Sequence, residues 1–313
     1  MSKNFVNKVH LEGYVYEHDL ELKVSGPNSK APGTEYITGT VSIATDNACL
    51  NVVPVHFSYV TATTKKGTPN ATYGVLMDIL EGVAGTIMEK GKEKAALVRV
   101  DTAIALNEFW TERNGKEEFV SVKRNEGGFI HFMNANELNE NEAARSDFLC
   151  DFLLTGATRI EGDEEKQTSD KVILKGAIFD FSKALLPVEF SINHPGGMDY
   201  FESLEPSSKN PVLTQVRGTQ VSETVVRTVT EESAFGDPVI REVKSSRKDY
   251  LVTWALPNPY EWDDESTLTV AELNEAITAR ETHLATLKKR NEEYKASKNA
   301  APAATTAQSA FNF

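Results

Sequence analysis

Apolar and polar positions alternate with period two near the start of the chain. Val9, Leu11, Gly13 and Val15 interleave with His10, Glu12, Tyr14 and Tyr16, as in a strand with one face turned inward. The pattern returns at Ile37, Gly39, Val41 and Ile43, and again at Val53, Val55 and Phe57. Over residues 73–89 the period changes. Leu76, Ile79, Leu80, Val83 and Ile87 fall on one helical face and predict a helix. Strands resume at Leu97-Val98-Arg99-Val100. A hairpin follows, with Asn114-Gly115 as its tip and Phe119-Val120-Ser121-Val122-Lys123 as its return.

Three strands, a helix and two strands is the order of the OB-fold, a five-stranded Greek-key barrel. A weaker echo follows it. Phe152–Gly156 resembles Val9–Gly13, Val172–Ala177 resembles Glu35–Thr40, and Val216-Arg217 can be set against Val98-Arg99. Tyr250–Trp254 then closes a second barrel. In both halves glycines fall inside strands, where bends and close backbone approach favour them. The expected class is mainly β. Residues 1–135 form an OB-fold barrel and 136–147 a linker. Residues 148–257 form a second, divergent OB-like domain. Residues 258–297 are a C-terminal helical segment, with Thr269 as cap and Val270, Leu273, Ile277, Leu284 and Leu287 as its apolar stripe. Residues 298–313 are a disordered tail, too poor in large apolar groups to fold alone.

Charge complicates any partner of like sign. The net charge is -13, yet residues 1–135 carry about 14 basic and about 16 acidic side chains, so the excess lies further on. A near-neutral first half can still present a basic groove. Cys49 and Cys150 are isolated and read as small buried apolar residues rather than metal ligands. The six histidines lack ligand spacing, and phosphate-loop, nucleophile-elbow and His-Glu-x-x-His motifs are missing. The chain is therefore expected to be no enzyme and to need no metal or cofactor. No apolar run reaches the roughly 18 residues that cross a bilayer, and the start has no apolar signal core. The expected location is the cytoplasm.

Strand parity supplies a binding surface. With Val9, Leu11 and Val15 inward, Tyr14 and Tyr16 point out; with Val98 and Val100 inward, Arg99 points out; with Val120 and Val122 inward, Lys123 points out. The hairpin adds Phe109, Trp110, Arg113 and Lys116, and the first strand adds Lys8. Aromatic faces beside cations are what an unpaired nucleic-acid strand requires, rings for its bases and charge for its phosphates. The alternative is an OB-fold protein–protein adaptor or scaffold that binds no nucleic acid.

At these residues the chain resembles the bacterial and bacteriophage single-stranded DNA-binding protein family. Val6–Gly13 is similar to that family's first strand and Ser42–Asp46 to the end of its second. Phe109-Trp110-Thr111-Glu112-Arg113-Asn114-Gly115-Lys116 is similar to its Trp-containing hairpin, with Asn125-Glu126-Gly127-Gly128 following. The likeness covers roughly residues 4–133. It implies a protein, phage-encoded and in the host cytoplasm, that coats single-stranded DNA in replication and recombination. It implies that Trp110 stacks on a base and that Phe57 lies on or near the binding surface, although parity also allows Phe57 in the core. The loop at residues 61–72, with Lys65 and Lys66, is suited to clasping DNA. Asn51 stands where the family usually has an aromatic residue. The second domain lacks counterparts of Tyr14 and Trp110, with Ala157 and Thr228 near those positions. Four barrels commonly assemble in the family, so two per chain imply a homodimer. The family's acidic tail ends in Phe and recruits replication proteins. Here Phe311 and Phe313 end a tail with no acid after residue 293.

Overall fold

The computed structural model describes residues 5–163, 169–231, 239–262 and 267–300. Eleven strands form its frame: β1 (Asn7–His18), β2 (Glu21–Val24), β3 (Glu35–Ala44), β4 (Val52–Thr61), β5 (Leu97–Arg113), β6 (Lys116–Phe132), β7 (Ser146–Ile160), β8 (Lys171–Phe179), β9 (Leu185–Ile192), β10 (Val212–Glu231) and β11 (Val239–Ala255). The helices are α1 (Ala71–Leu80), α2 (Ile87–Lys90), α3 (Pro195–Ser203) and α4 (Val270–Ala300).

Pairing closes these strands into two rings. In the first, β1 pairs with β3, β3 with β4, β4 with β6 in parallel, β6 with β5, and β5 with β1. In the second, β7 pairs with β8, β8 with β9, β9 with β11 in parallel, β11 with β10, and β10 with β7. Each ring has one helix-bearing crossover between its third and fourth members and a single parallel closure, the order of an OB barrel. The second barrel is thus the first one repeated in topology. Residue by residue the echo is looser: Val98 faces Gly13, whereas Val216 faces Cys150 rather than Gly156.

The barrels are fused. β1 pairs antiparallel with β7, and Val9 lies opposite Phe148. Val9, Leu11, Val55 and Phe57 belong to the same buried cluster as Phe148, Phe152 and Phe190, so one core runs through both barrels. Strand crowding explains two of the glycines. A Cβ on Gly13 would lie 2.0 Å from the carbonyl oxygen of Ala44, and one on Gly176 would lie 2.2 Å from that of Leu153.

Several local expectations change. The helix expected over 73–89 stops at Leu80. Gly82 takes φ 72°, the left-handed conformation that ends helices, and its amide reaches back to the carbonyl of Ile79. Leu76 and Ile79 are buried, but Val83 is exposed. Cys150 is buried as expected, while Cys49 is only half-buried, in a turn with φ 58°. The stretch 136–147 is no loose tether. It makes 3-10 turns at Ala135–Glu137 and Glu142–Arg145. The buried Arg145 bonds to the Asn139 carbonyl at 2.5 Å and to the Asn47 side chain at 2.9 Å. At α4, Thr269 and Glu272 form the capping pair: the Glu272 amide donates to Thr269 Oγ1 at 3.2 Å and the Thr269 amide to Glu272 Oε2 at 3.1 Å. Of the expected stripe only Leu273 is buried; Val270 and Ile277 are exposed. Phe311 and Phe313 lie outside the described residues.

Candidate nucleic-acid interface

The β5–β6 hairpin projects beyond the point where β6 closes the first barrel, at Val55–Asn125 and His56–Glu126. Alternation divides its side chains between two faces. One face carries Glu108, Trp110 and Glu112 on β5, opposite Ser121, Phe119 and Glu117 on β6. The other carries Phe109, Thr111 and Arg113, opposite Val120, Glu118 and Lys116. The residues grouped by sequence therefore separate: Phe109, Arg113 and Lys116 share a face, and Trp110 is on its reverse.

The reverse face is occupied. Arg280 of α4 grips Glu108 with both terminal nitrogens, one at 2.6 Å, and His283 lies 3.6 Å from the same carboxylate. Further along, Asn291 and Lys295 reach Glu117 at 2.6 and 3.0 Å. Burial pushes the Glu108 carboxyl up, but the bonds from Arg280 outweigh it and hold it below the usual carboxylate range. Trp110 stands between these two anchors. Its ring packs on Phe119 at 5.3 Å, and its Nε1 is shielded without a hydrogen-bond partner. The expected outward indole is corrected: α4 runs along its face.

Lys123 is also turned from its expected side. Its ammonium donates to the Glu189 carbonyl and lies 4.3 Å from the Tyr250 ring centroid and 5.4 Å from that of Phe190. Burial pushes its pKa down to about 8. The reason is tertiary. Past the barrel rim, the apolar surface comes from the second barrel, so Lys123 faces protein while Val122 is exposed. Phe57 is fully buried, as parity allowed, and is no surface residue. Asn51 bolts the barrels together instead of offering a ring. Its Oδ1 accepts the Ser222 amide at 2.6 Å and its Nδ2 donates to the Gln220 carbonyl at 3.0 Å.

The remaining positions lie nearer the surface. Tyr14 and Tyr16 are half-buried, and the Lys92 ammonium sits 5.3 Å from the Tyr14 ring. Lys8, Lys65, Lys66, Arg99, Arg113 and Lys116 are exposed. Arg99 lies 3.8 Å from Asp101 and Arg113 3.9 Å from Glu118. Pairs this long and this exposed contribute about 0–1 kcal/mol, so a phosphate can displace either carboxylate. Sequence reasoning missed one pair. Tyr36 and Tyr59 pack against each other, with centroids 4.4 Å apart and planes tilted by 35°, on β3 and β4. Tyr36 faces Thr61, where β4 ends and the Lys65–Lys66 loop begins, and Lys23 lies across β2 from Tyr36. The signal was available, because both tyrosines flank the apolar positions of their strands. Among the described residues, no group of three His, Cys, Asp or Glu is placed to hold a metal. No helix there is long and apolar enough to cross a membrane.

The sequence pattern of the YorF family matches residues 6–290. The chain belongs to the YorF family. No curated protein matches this YorF chain. Among solved structures it is similar to a deletion variant of the single-stranded DNA binding protein from Thermus aquaticus. The identity is 10%, the TM-score is 0.46, and 84% of this chain and 98% of that chain are covered. The wild-type Thermus aquaticus protein aligns at 10% identity and TM-score 0.44, over 83% of this chain and 97% of that one.

Proposed function

We propose that this YorF-family chain binds single-stranded DNA along its first barrel and coats it during replication or recombination, without acting on it chemically. The observation that carries this reading is the uncovered face of the β5–β6 hairpin, where Phe109, Arg113 and Lys116 stand together on an OB barrel. A base stacked on Phe109 brings its phosphates toward the two cations. The Tyr36–Tyr59 pair, with Lys23, Lys65 and Lys66 at the same end of β3 and β4, gives a second stacking platform. A phage origin and recruitment of replication proteins through Phe311 and Phe313 belong to the same reading and rest on the family resemblance alone, as does a homodimer.

A scaffold role is the competing reading, favoured by the net charge of -13 and by the burial of Lys123. Fluorescence anisotropy with labelled oligo-dT, at low and high salt and against duplex DNA and RNA, separates the two. We expect binding that prefers the single strand and weakens with salt, and a loss of about 1–3 kcal/mol in Phe109→Ala. Unchanged affinity in that variant removes the hairpin from the site, and no binding at low salt supports the scaffold.

A further inference from the structure

Trp254, which the first barrel's chemistry does not involve, stands at a bulge in β11. Arg217 pairs with Trp254 and Gly218 with Val252, so Thr253 is an extra residue in the ladder. Bulges re-aim side chains, and here both Thr253 and Trp254 face outward, the indole 44% exposed. Crowding pins the kink: a Cβ on Gly218 would lie 2.0 Å from the Leu251 carbonyl oxygen.

Hollows flank this ring on both sides. A groove of about 750 Å³ is lined by Trp254, Arg217, Gln215, Thr219, Asn141 and Asp147. A pocket of about 190 Å³ is lined by Trp254, His194, Tyr200, Phe201 and Pro257. Arg217 is itself half-exposed. Its Nε donates to Asp147 at 2.7 Å, and among the described contacts its two terminal Nη groups make none. Directly opposed residues on antiparallel strands hold their Cβ atoms about 4.5–5.5 Å apart. A flat ring bordered by amide and hydroxyl groups, with a guanidinium on the same rung of the ladder, suits a base and its adjoining phosphate better than an apolar peptide.

We propose that Trp254 and Arg217 form a second contact for the DNA strand on the second barrel, with a base stacked on the indole and a phosphate held by the Nη groups. This rests on the strand-binding reading of the first barrel. The test uses the full chain carrying Trp110→Phe and Trp262→Phe, so that Trp254 is the sole reporter. It is titrated with oligo-dT of roughly 35 nucleotides, long enough for two OB barrels. We expect the Trp254 emission to be quenched. In the otherwise native chain, Trp254→Ala should bind this oligonucleotide about ten-fold more weakly, and Arg217→Gln should flatten the salt dependence by about 0.7 in the log–log slope. Should Trp254→Ala melt early, the emission signal and Arg217→Gln decide. If the native chain binds but Trp254 emission stays constant and both variants behave as native, the second contact is overturned and the first barrel stands. If the native chain binds no oligonucleotide, both are overturned.

Discussion

Asn125 and Gln220 hold each other by their side-chain amides. Asn125 Nδ2 donates to Gln220 Oε1 at 2.8 Å, and Gln220 Nε2 donates to Asn125 Oδ1 at 3.0 Å. One residue comes from each barrel and both are buried. A buried amide left without its partner costs about 1–3 kcal/mol, whereas replacing both partners by apolar groups costs far less. Gln220→Ala should therefore destabilise the chain by that amount in urea unfolding, and Asn125→Leu with Gln220→Leu by less than the two single losses added, because Asn125 also serves the Pro54 carbonyl and the Tyr250 hydroxyl. Additive losses in the double variant would show that the pair is not coupled.

Lys65 and Lys66 provide a cleaner electrostatic test than Lys123. Each phosphate contact on a single strand contributes about 0.7 to the slope of log K against log salt. The double variant Lys65→Gln, Lys66→Gln should lower that slope by about 1.4. Lys123→Met should leave it unchanged, because that ammonium already sits against Glu189, Tyr250 and Phe190. A reduced slope in Lys123→Met would mean that the second barrel moves aside.

His10 makes stability depend on pH. Burial lowers its pKa, but hydrogen bonds to Asp101 at 2.7 Å and Glu12 at 3.0 Å win and raise it above 6.5. A raised folded pKa stabilises fully below the unfolded value and loses that contribution as pH climbs through the folded one. Thermal melts should therefore show a decline beginning near pH 6.5 that is absent in His10→Gln. Parallel pH profiles in the two proteins would dismiss the linkage.

Over Trp110, α4 is held mainly by charge. Arg280 and Lys295 supply it, while its apolar contact is the buried Leu273 with Ala276 near the helix start and the half-buried Leu284 and Leu287 beyond. Salt screens the exposed Lys295–Glu117 pair far more than the buried Arg280–Glu108 pair, so acrylamide should quench Trp110 only slightly more at about 1 M salt than at about 0.1 M. The measurement needs Trp254→Phe and Trp262→Phe. Glu108→Gln, which removes the buried charge, should produce a larger gain at low salt. Acid should do so too, since a lowered carboxylate pKa stabilises above 4.5 and that support is lost as pH falls through it. Equal quenching throughout would mean the helix is clamped by packing instead.

Much of this architecture was legible in residue patterns. Period-two alternation located β1, β3, β4 and β5, Asn114-Gly115 marked the hairpin tip, and the faint echo pointed to a second barrel of the same topology. What alternation cannot reveal is which side of a projecting ribbon will meet protein. Val120 and Val122 looked inward because they are apolar, yet the surface that covers the hairpin belongs to α4 and the second barrel, many residues away. Trp110 and Lys123 were misplaced for that one reason. Asn51 looked like a missing ring because its partners, Gln220 and Ser222, lie on a strand that local pattern does not connect to it. Gly82, by contrast, was a visible helix stop within an otherwise convincing apolar face.

The pairing of β1 with β7 has a bearing on dose. Two barrels recruited from separate chains would part on dilution, since such an assembly obeys mass action. Here they are joined by backbone hydrogen bonds within one polypeptide, so their one-to-one ratio and mutual orientation survive at any cellular abundance.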